Sequence, residues 1–158
     1  MPTPTYDLLA STTLATAASS VTFSSIDQSY GDLVIAADYT LTAGRNMYLR
    51  VNGDTGSNYS DVSMFANGSS KYSFNTSSVS SVTFGNGYAT KSNFMLQCFD
   101  YSATDKHKTF LSRMGNANNE VWAVALRWAN NAAITSLTFI SNDVYVAGST
   151  FNLYGVAK

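Results

Sequence analysis

The stretch Val121-Trp122-Ala123-Val124-Ala125-Leu126-Arg127-Trp128 decides the fold class. Trp122, Val124, Leu126 and Trp128 share one parity and Ala123, Ala125 and Arg127 the other, which is the period of a strand with one face on a core. Both indoles are therefore expected inside, as large core fillers rather than as platforms for stacking sugars. The same alternation turns Met47, Leu49 and Val51 inward and leaves Tyr48 and Arg50 outward, where exposed tyrosine and arginine suit an interface. Phe94, Leu96 and Cys98 repeat the pattern, which makes Cys98 a buried small hydrophobe.

Outward from this stretch, period-two runs recur along the whole chain. They predict strands over 6–14, 20–26, 32–40, 46–51, 62–66, 71–75, 79–84, 93–99, 108–113, 121–128, 134–141 and 149–155. Turn residues fall between them at 27–31, 43–44, 52–56, 67–68, 85–87, 115–119, 130–131 and 147–148. A phrase recurs three times, as Ser20-Val21-Thr22-Phe23, Ser81-Val82-Thr83-Phe84 and Ser136-Leu137-Thr138-Phe139. Its uneven spacing excludes a solenoid, so these are three similar strands with Val or Leu and Phe inward and hydroxyls outward. Many short strands in 158 residues predict one all-β domain, a jelly-roll-like antiparallel β-sandwich, with a closed barrel as the other architecture. Residues 1–5 are expected to form an extended arm.

Composition agrees. Ser and Thr number 39, aromatics make up 13%, and Glu120 is the lone glutamate, so helix formers are scarce and β formers plentiful. Nine Lys and Arg against ten Asp and Glu give a net charge of about −1, which supplies no field to attract nucleic acid or an anionic membrane surface. A single cysteine excludes an intramolecular disulfide and a thiolate metal cluster. No run of about 18 apolar residues is present, and Leu8, Leu9 and Leu14 are interrupted by polar residues, so neither a membrane helix nor a secretory leader is read.

Catalytic chemistry finds little material. The one histidine, His107, lies between Lys106 and Lys108 in what reads as a solvated loop without an orienting carboxylate. The ten acids are scattered over turns and strand ends, where a glycosidase needs two converging carboxylates. Asn52-Gly53-Asp54-Thr55-Gly56-Ser57-Asn58 has alternate oxygen side chains like a calcium loop, but the twelfth position is Ser63 counted from Asn52 and Phe65 counted from Asp54, not glutamate. A tight turn using Asn and Gly for positive φ is the expected structure there. Sequons at Asn58, Asn67 and Asn75 are what chance gives in a chain this rich in Asn, Ser and Thr. The reading is of a protein without catalytic site, cofactor or metal.

Three phrases resemble small tailed-bacteriophage virion structural proteins: Leu8-Leu9-Ala10-Ser11-Thr12-Thr13-Leu14 with Ser19-Ser20-Val21-Thr22-Phe23; Leu49-Arg50-Val51-Asn52-Gly53-Asp54-Thr55-Gly56-Ser57-Asn58-Tyr59-Ser60; and Lys108-Thr109-Phe110-Leu111-Ser112-Arg113. The closing run from Ala133 through Phe139 to Ala147 and on to Gly155 is similar to the same group's C-terminus, so the resemblance covers about Leu8 to Val156. It implies a non-catalytic virion component assembled in a reducing host cytoplasm, where disulfides are not needed. Length without repeats suits a capsid decoration or cement protein better than a fibre shaft. Such a protein is expected to self-associate as a homotrimer and to bind between subunits of the major capsid protein, stabilising the head. Tyr48, Arg50, Tyr59 and Arg113 are the interface candidates, Tyr59 beside the 52–58 turn and Arg113 at the end of its strand. The rival from another class is a fibre-associated receptor- or carbohydrate-binding module, for which ten tyrosines offer stacking faces.

Overall fold

The computed structural model describes residues 5–158, all in strands and connections with no helix. The strands are β1 (Tyr6–Thr13), β2 (Ala18–Phe23), β3 (Asp32–Tyr39), β4 (Arg45–Val51), β5 (Tyr59–Asn67), β6 (Ser70–Val79), β7 (Val82–Gly87), β8 (Ser92–Cys98), β9 (Lys108–Asn116), β10 (Glu120–Trp128), β11 (Leu137–Tyr145) and β12 (Thr150–Val156). They form an eight-stranded sheet in the order β1-β12-β3-β8-β9-β10-β5-β6 and a four-stranded sheet in the order β2-β11-β4-β7, every pairing antiparallel. The two sheets enclose one cluster of buried side chains, giving the antiparallel jelly-roll-like sandwich expected from the alternation. Of the arm expected over 1–5, only Thr5 is among the described residues; its carbonyl accepts from the Ala157 N–H at 3.1 Å.

The thrice-repeated phrase builds most of the smaller sheet. Its copies lie in β2, β7 and β11, and Val21, Phe23, Val82, Phe84, Leu137 and Phe139 are all buried. Thr22 and Thr138 stand opposite each other on the outer face and share a hydroxyl hydrogen bond at 3.0 Å. Phe139 is the hub of the core, with ring centroids 5.4 Å from Phe94, 5.6 Å from Phe84, 6.3 Å from Phe151 and 6.4 Å from Phe23. Ring pairs at these spacings add to the area they bury.

Trp122, Val124, Leu126 and Trp128 face inward as the alternation requires, and so do Met47, Leu49 and Val51. Two expectations fail. The 85–87 turn is instead the end of β7, where register slips past Phe84 so that Met47 pairs Gly85 and Tyr48 pairs Thr83. Met114 lies over that bulge, and a Cβ on Gly85 would sit 1.9 Å from its Sδ, so the glycine serves a close approach rather than a reversal. The expected 79–84 strand is likewise two strands, β6 ending at Val79 and β7 beginning at Val82.

The last strand of the large sheet, β6, runs past the edge of the smaller sheet. It follows β5 through the two-residue connection Gly68-Ser69, with Gly68 at φ 61° as the first position of a tight hairpin turn demands. Along its inner side Trp122, Phe65 and Tyr72 stack across β10, β5 and β6 at 4.1 and 4.6 Å, and Phe74 meets Trp122 edge-on at 5.9 Å. Because nothing in the smaller sheet covers the end of this ladder, Tyr72 remains 47% exposed and Phe74 38%.

Candidate docking face

The four interface candidates do not come together. Tyr48 and Arg50 lie half-buried on the outer face of the smaller sheet, where the Tyr48 hydroxyl accepts from Asn142 Nδ2 at 3.2 Å. Tyr59 is corrected outright: it is 1% exposed. Its hydroxyl accepts from Val51 N–H at 3.0 Å and donates to the Asp54 carbonyl at 3.0 Å, because position 59 shares the inward parity of β5. Arg113 is exposed, but it lies inside β9 rather than at its end, and on the outer face of the large sheet, on the opposite side of the molecule from Tyr48 and Arg50.

The 52–58 loop is a turn, with Asn52 at φ 51° and Gly53 at φ 69°. Asp54, the residue that would have headed a calcium loop, is spent on structure. Its carboxylate accepts from Trp128 Nε1 at 2.7 Å, Asn58 Nδ2 at 2.9 Å and the Gly56 N–H at 2.7 Å. These bonds, the indole's foremost, hold its carboxyl below the usual carboxylate range.

The two buried acids are engaged in the same way. Glu120 accepts from the Tyr88 hydroxyl and from Trp122 Nε1 at 2.9 Å, while Asp61 accepts from Ser63 at 2.7 Å and from Thr76. Burial, with the Glu120 carboxylate second, pushes the Tyr88 phenol up to about 12. Asp61 stands opposite Leu126, six positions along β10 from Glu120. At ~3.3 Å per residue the two acids are ~20 Å apart, well beyond the separation at which two carboxylates share a glycosidic bond. No group of three or more His, Cys, Asp or Glu gathers among the described residues.

The 106–108 cluster divides. His107 and Lys106 are exposed, and Lys106 pairs with Asp100 at 2.8 Å. Lys108, expected in a solvated loop, is fully buried at the start of β9, where inward parity sends its Nζ to the Lys106 and Asn131 carbonyls at 3.0 and 3.4 Å. Burial lowers the pKa of this ammonium. Cys98 is buried as expected, and burial drives its thiol pKa up.

What sequence reasoning missed is the outer face of the large sheet. In β5 the inward positions are Tyr59, Asp61, Ser63 and Phe65, so Val62 and Met64 point to solvent at 61% and 60% exposure. Val121 on β10 and Leu111 on β9 join them at 59% and 53%. Register makes these one surface. Ala125 lies between Val62 and Leu111, Ala123 between Met64 and Arg113, and Val121 between Ala66 and Gly115. The two alanines are short and their neighbours long, which leaves a trough along β10 that includes a depression of about 730 Å³ walled by Val62, Phe99, Leu111 and Arg127. The four aliphatic side chains together expose on the order of 400 Å², the size of the largest patch on a typical monomer, which is often functional.

Along β5, β6, β9 and β10 this face carries only positive charge, and the acid Asp38 on β3 is paired with Lys91. Arg113, Arg127 and Lys71 project beside the trough, and the outward positions of β5, β6, β9 and β10 carry no acid. Among the described residues the ion pairs are Lys91 with Asp38 and Lys106 with Asp100, so neither arginine is neutralised within the chain.

No family model and no curated protein matches this chain. Among solved structures it is similar to exo-inulinase from Aspergillus awamori (14% identity, TM-score 0.48), covering 96% of this chain and 29% of that one. It is also similar to galectin LEC-6 from Caenorhabditis elegans (11% identity, TM-score 0.40), covering 94% and 96%, and to the PL-14 alginate lyase from Aplysia kurodai (11% identity, TM-score 0.36), covering 84% and 72%. The chain thus spans less than a third of the exo-inulinase chain. Likeness at this level is too slight to carry a substrate or an activity across.

Proposed function

We propose that this chain is a structural docking protein that works by burying the outer face of its large sheet against another protein. The observation that carries the reading is the contiguous aliphatic surface of Val62, Met64, Leu111 and Val121, left bare on the face turned away from the core. A surface that is mostly aliphatic, with Phe99 its one exposed ring and both indoles buried, suits a protein better than a sugar. Arg113 and Arg127 select a partner surface with carboxylates at the rim of an apolar centre.

The setting we propose is the one the sequence resemblance implies, a phage virion, with the chain as a decoration or cement protein seated on the major capsid protein. Half-buried Asn52, Asp54 and Asn58, whose side chains brace the 52–58 loop, together with an aromatic core, suit a part whose task is to hold shape under load. Electron microscopy of the native particle tests this, together with rebinding of purified protein to heads that lack it. Density on the shell with β9 and β10 against the capsid is the expected result, and Leu111→Glu is expected to weaken rebinding at least tenfold without changing the fold. Density on a fibre, or undiminished rebinding of Leu111→Glu, overturns the reading.

A further inference from the structure

β6 ends the large sheet with an unpaired edge that lies apart from the docking face. Edge strands in natural sheets are blunted by lysines and other charges, prolines or bulges. The opposite edge of the large sheet follows this rule, since β1 has a register shift between Leu8 and Ala10 and carries Asp7. β6 is protected only in part. Its register shift lies at the far end, opposite Tyr59 and Asp61, with Ser78 at φ 53°; from Ser70 to Thr76 it pairs β5 without a shift, it contains no proline, and its one charged residue is Lys71.

Hairpin geometry determines which backbone groups are free. In a two-residue hairpin the flanking residues, here Asn67 and Ser70, exchange both hydrogen bonds, and bonded pairs then alternate along the ladder. Ser70, Tyr72, Phe74 and Thr76 therefore turn their N–H and C=O groups toward β5. Lys71, Ser73 and Asn75 turn theirs to the open edge. The side chains of Tyr72 and Phe74, on the inner side, are the exposed end of the aromatic ladder.

We propose that β6 pairs with β6 of a second copy, antiparallel about a twofold axis through Ser73. This register satisfies every free group at once: Ser73 exchanges both bonds with its twin, and Lys71 exchanges bonds with the second copy's Asn75. Tyr72 falls opposite the second copy's Phe74 on the inner side, so the two exposed rings of each copy cover each other and the stack becomes continuous between molecules. On the outer side Lys71 meets an amide rather than a second ammonium, so like charges stay apart. A register centred on Tyr72 leaves Phe74 bare, and one centred on Phe74 places Tyr72 against Thr76. A strand-edge contact of this length lies at the small end of specific interfaces, so the dimer is concentration-dependent. An edge that pairs with itself closes as a twofold dimer, in place of the trimer expected from sequence.

Sedimentation of the whole chain across a concentration series tests this. The expected result is a reversible monomer–dimer equilibrium. Ser73→Pro removes an N–H that faces the open edge, a place where proline is compatible with the strand, and is expected to weaken the dimer at least tenfold with an unchanged circular dichroism spectrum. Ser73→Cys provides an independent readout. Directly paired residues of this class have Cα atoms ~5.5 Å apart, within disulfide reach, and Cys98 is buried, so air oxidation over a copper catalyst is expected to give a covalent dimer through position 73. A monomer at every concentration, a trimer, a dimer that survives Ser73→Pro, or a dimer that Ser73→Cys fails to cross-link overturns the proposal. Leu111→Glu leaves this dimer intact, so failure of the docking face and failure of the edge are read separately.

Discussion

Replacing Asp54 by alanine tests whether the 52–58 loop is a structural clasp. Three donors converge on that carboxylate, and one of them, the Trp128 indole, belongs to a side chain 1% exposed. Orphaning the indole N–H costs about 1–3 kcal/mol, and freeing Asn58 and the Gly56 amide adds about 1 kcal/mol. A total of about 3 kcal/mol corresponds to a fall of about 6–12 °C in melting temperature for a chain of this size. Asp54 is held below its ordinary range, so its contribution is complete above the unfolded carboxyl pKa of about 3.9 and is lost as pH falls through the lower folded value. Urea unfolding of wild type and Asp54→Ala at neutral pH should therefore show the full gap, and the gap should narrow as pH falls below about 3.9. Trp128→Phe removes the donor, and on that background Asp54→Ala should cost at least about 1 kcal/mol less. A gap under about 0.5 kcal/mol at neutral pH, or strict additivity with Trp128→Phe, refutes the clasp.

Three further outcomes follow from the core. Gly85→Ala forces a Cβ against Met114 and should destabilise by about 1–3 kcal/mol, with Met114→Ala on the same chain relieving part of the loss in a urea double-mutant cycle. Phe139→Ala removes the ring that touches four others and should cost about 3–5 kcal/mol by the same assay. Cys98 should resist iodoacetamide at pH 8 in the native protein and label fully in urea, followed by mass spectrometry, because burial keeps its thiol protonated and out of reach.

The strands and the smaller sheet were legible because their code is local. Parity alone places Trp122, Trp128, Met47 and Leu49, and the repeated Ser-Val-Thr-Phe phrase predicts inward and outward residues in β2, β7 and β11 correctly. The 52–58 turn was legible for the same reason, since asparagine and glycine carry the positive φ values themselves. Part of the rest depended on distant partners. Gly85 looks like a turn residue until Met114, 29 positions later, lies over it. Lys108 and Tyr59 look exposed because a lysine and a phenol carry polar atoms, although strand parity turns both inward, where backbone carbonyls receive those atoms. The docking face was hidden because alternation is symmetric. Apolar residues on one parity of β5 announce a sided strand without saying which side meets the core, and there the polar set faces inward.

That inversion bears on how the chain reaches its native form. A β5 paired one residue out of step would bring Val62 and Met64 into the interior and cast Asp61 and Ser63 outward, a misfold nearly as greasy inside as the correct one. The slip trades Tyr59 and Phe65 for Val62, Met64 and Ala66, so hydrophobic collapse separates the two only weakly. Discrimination falls to the Tyr59 hydroxyl seated on Val51 and Asp54, and to Asp61 holding Ser63 and Thr76, contacts that exist in one alignment alone. In this sandwich oily residues drive compaction, and a few oxygen atoms proofread it.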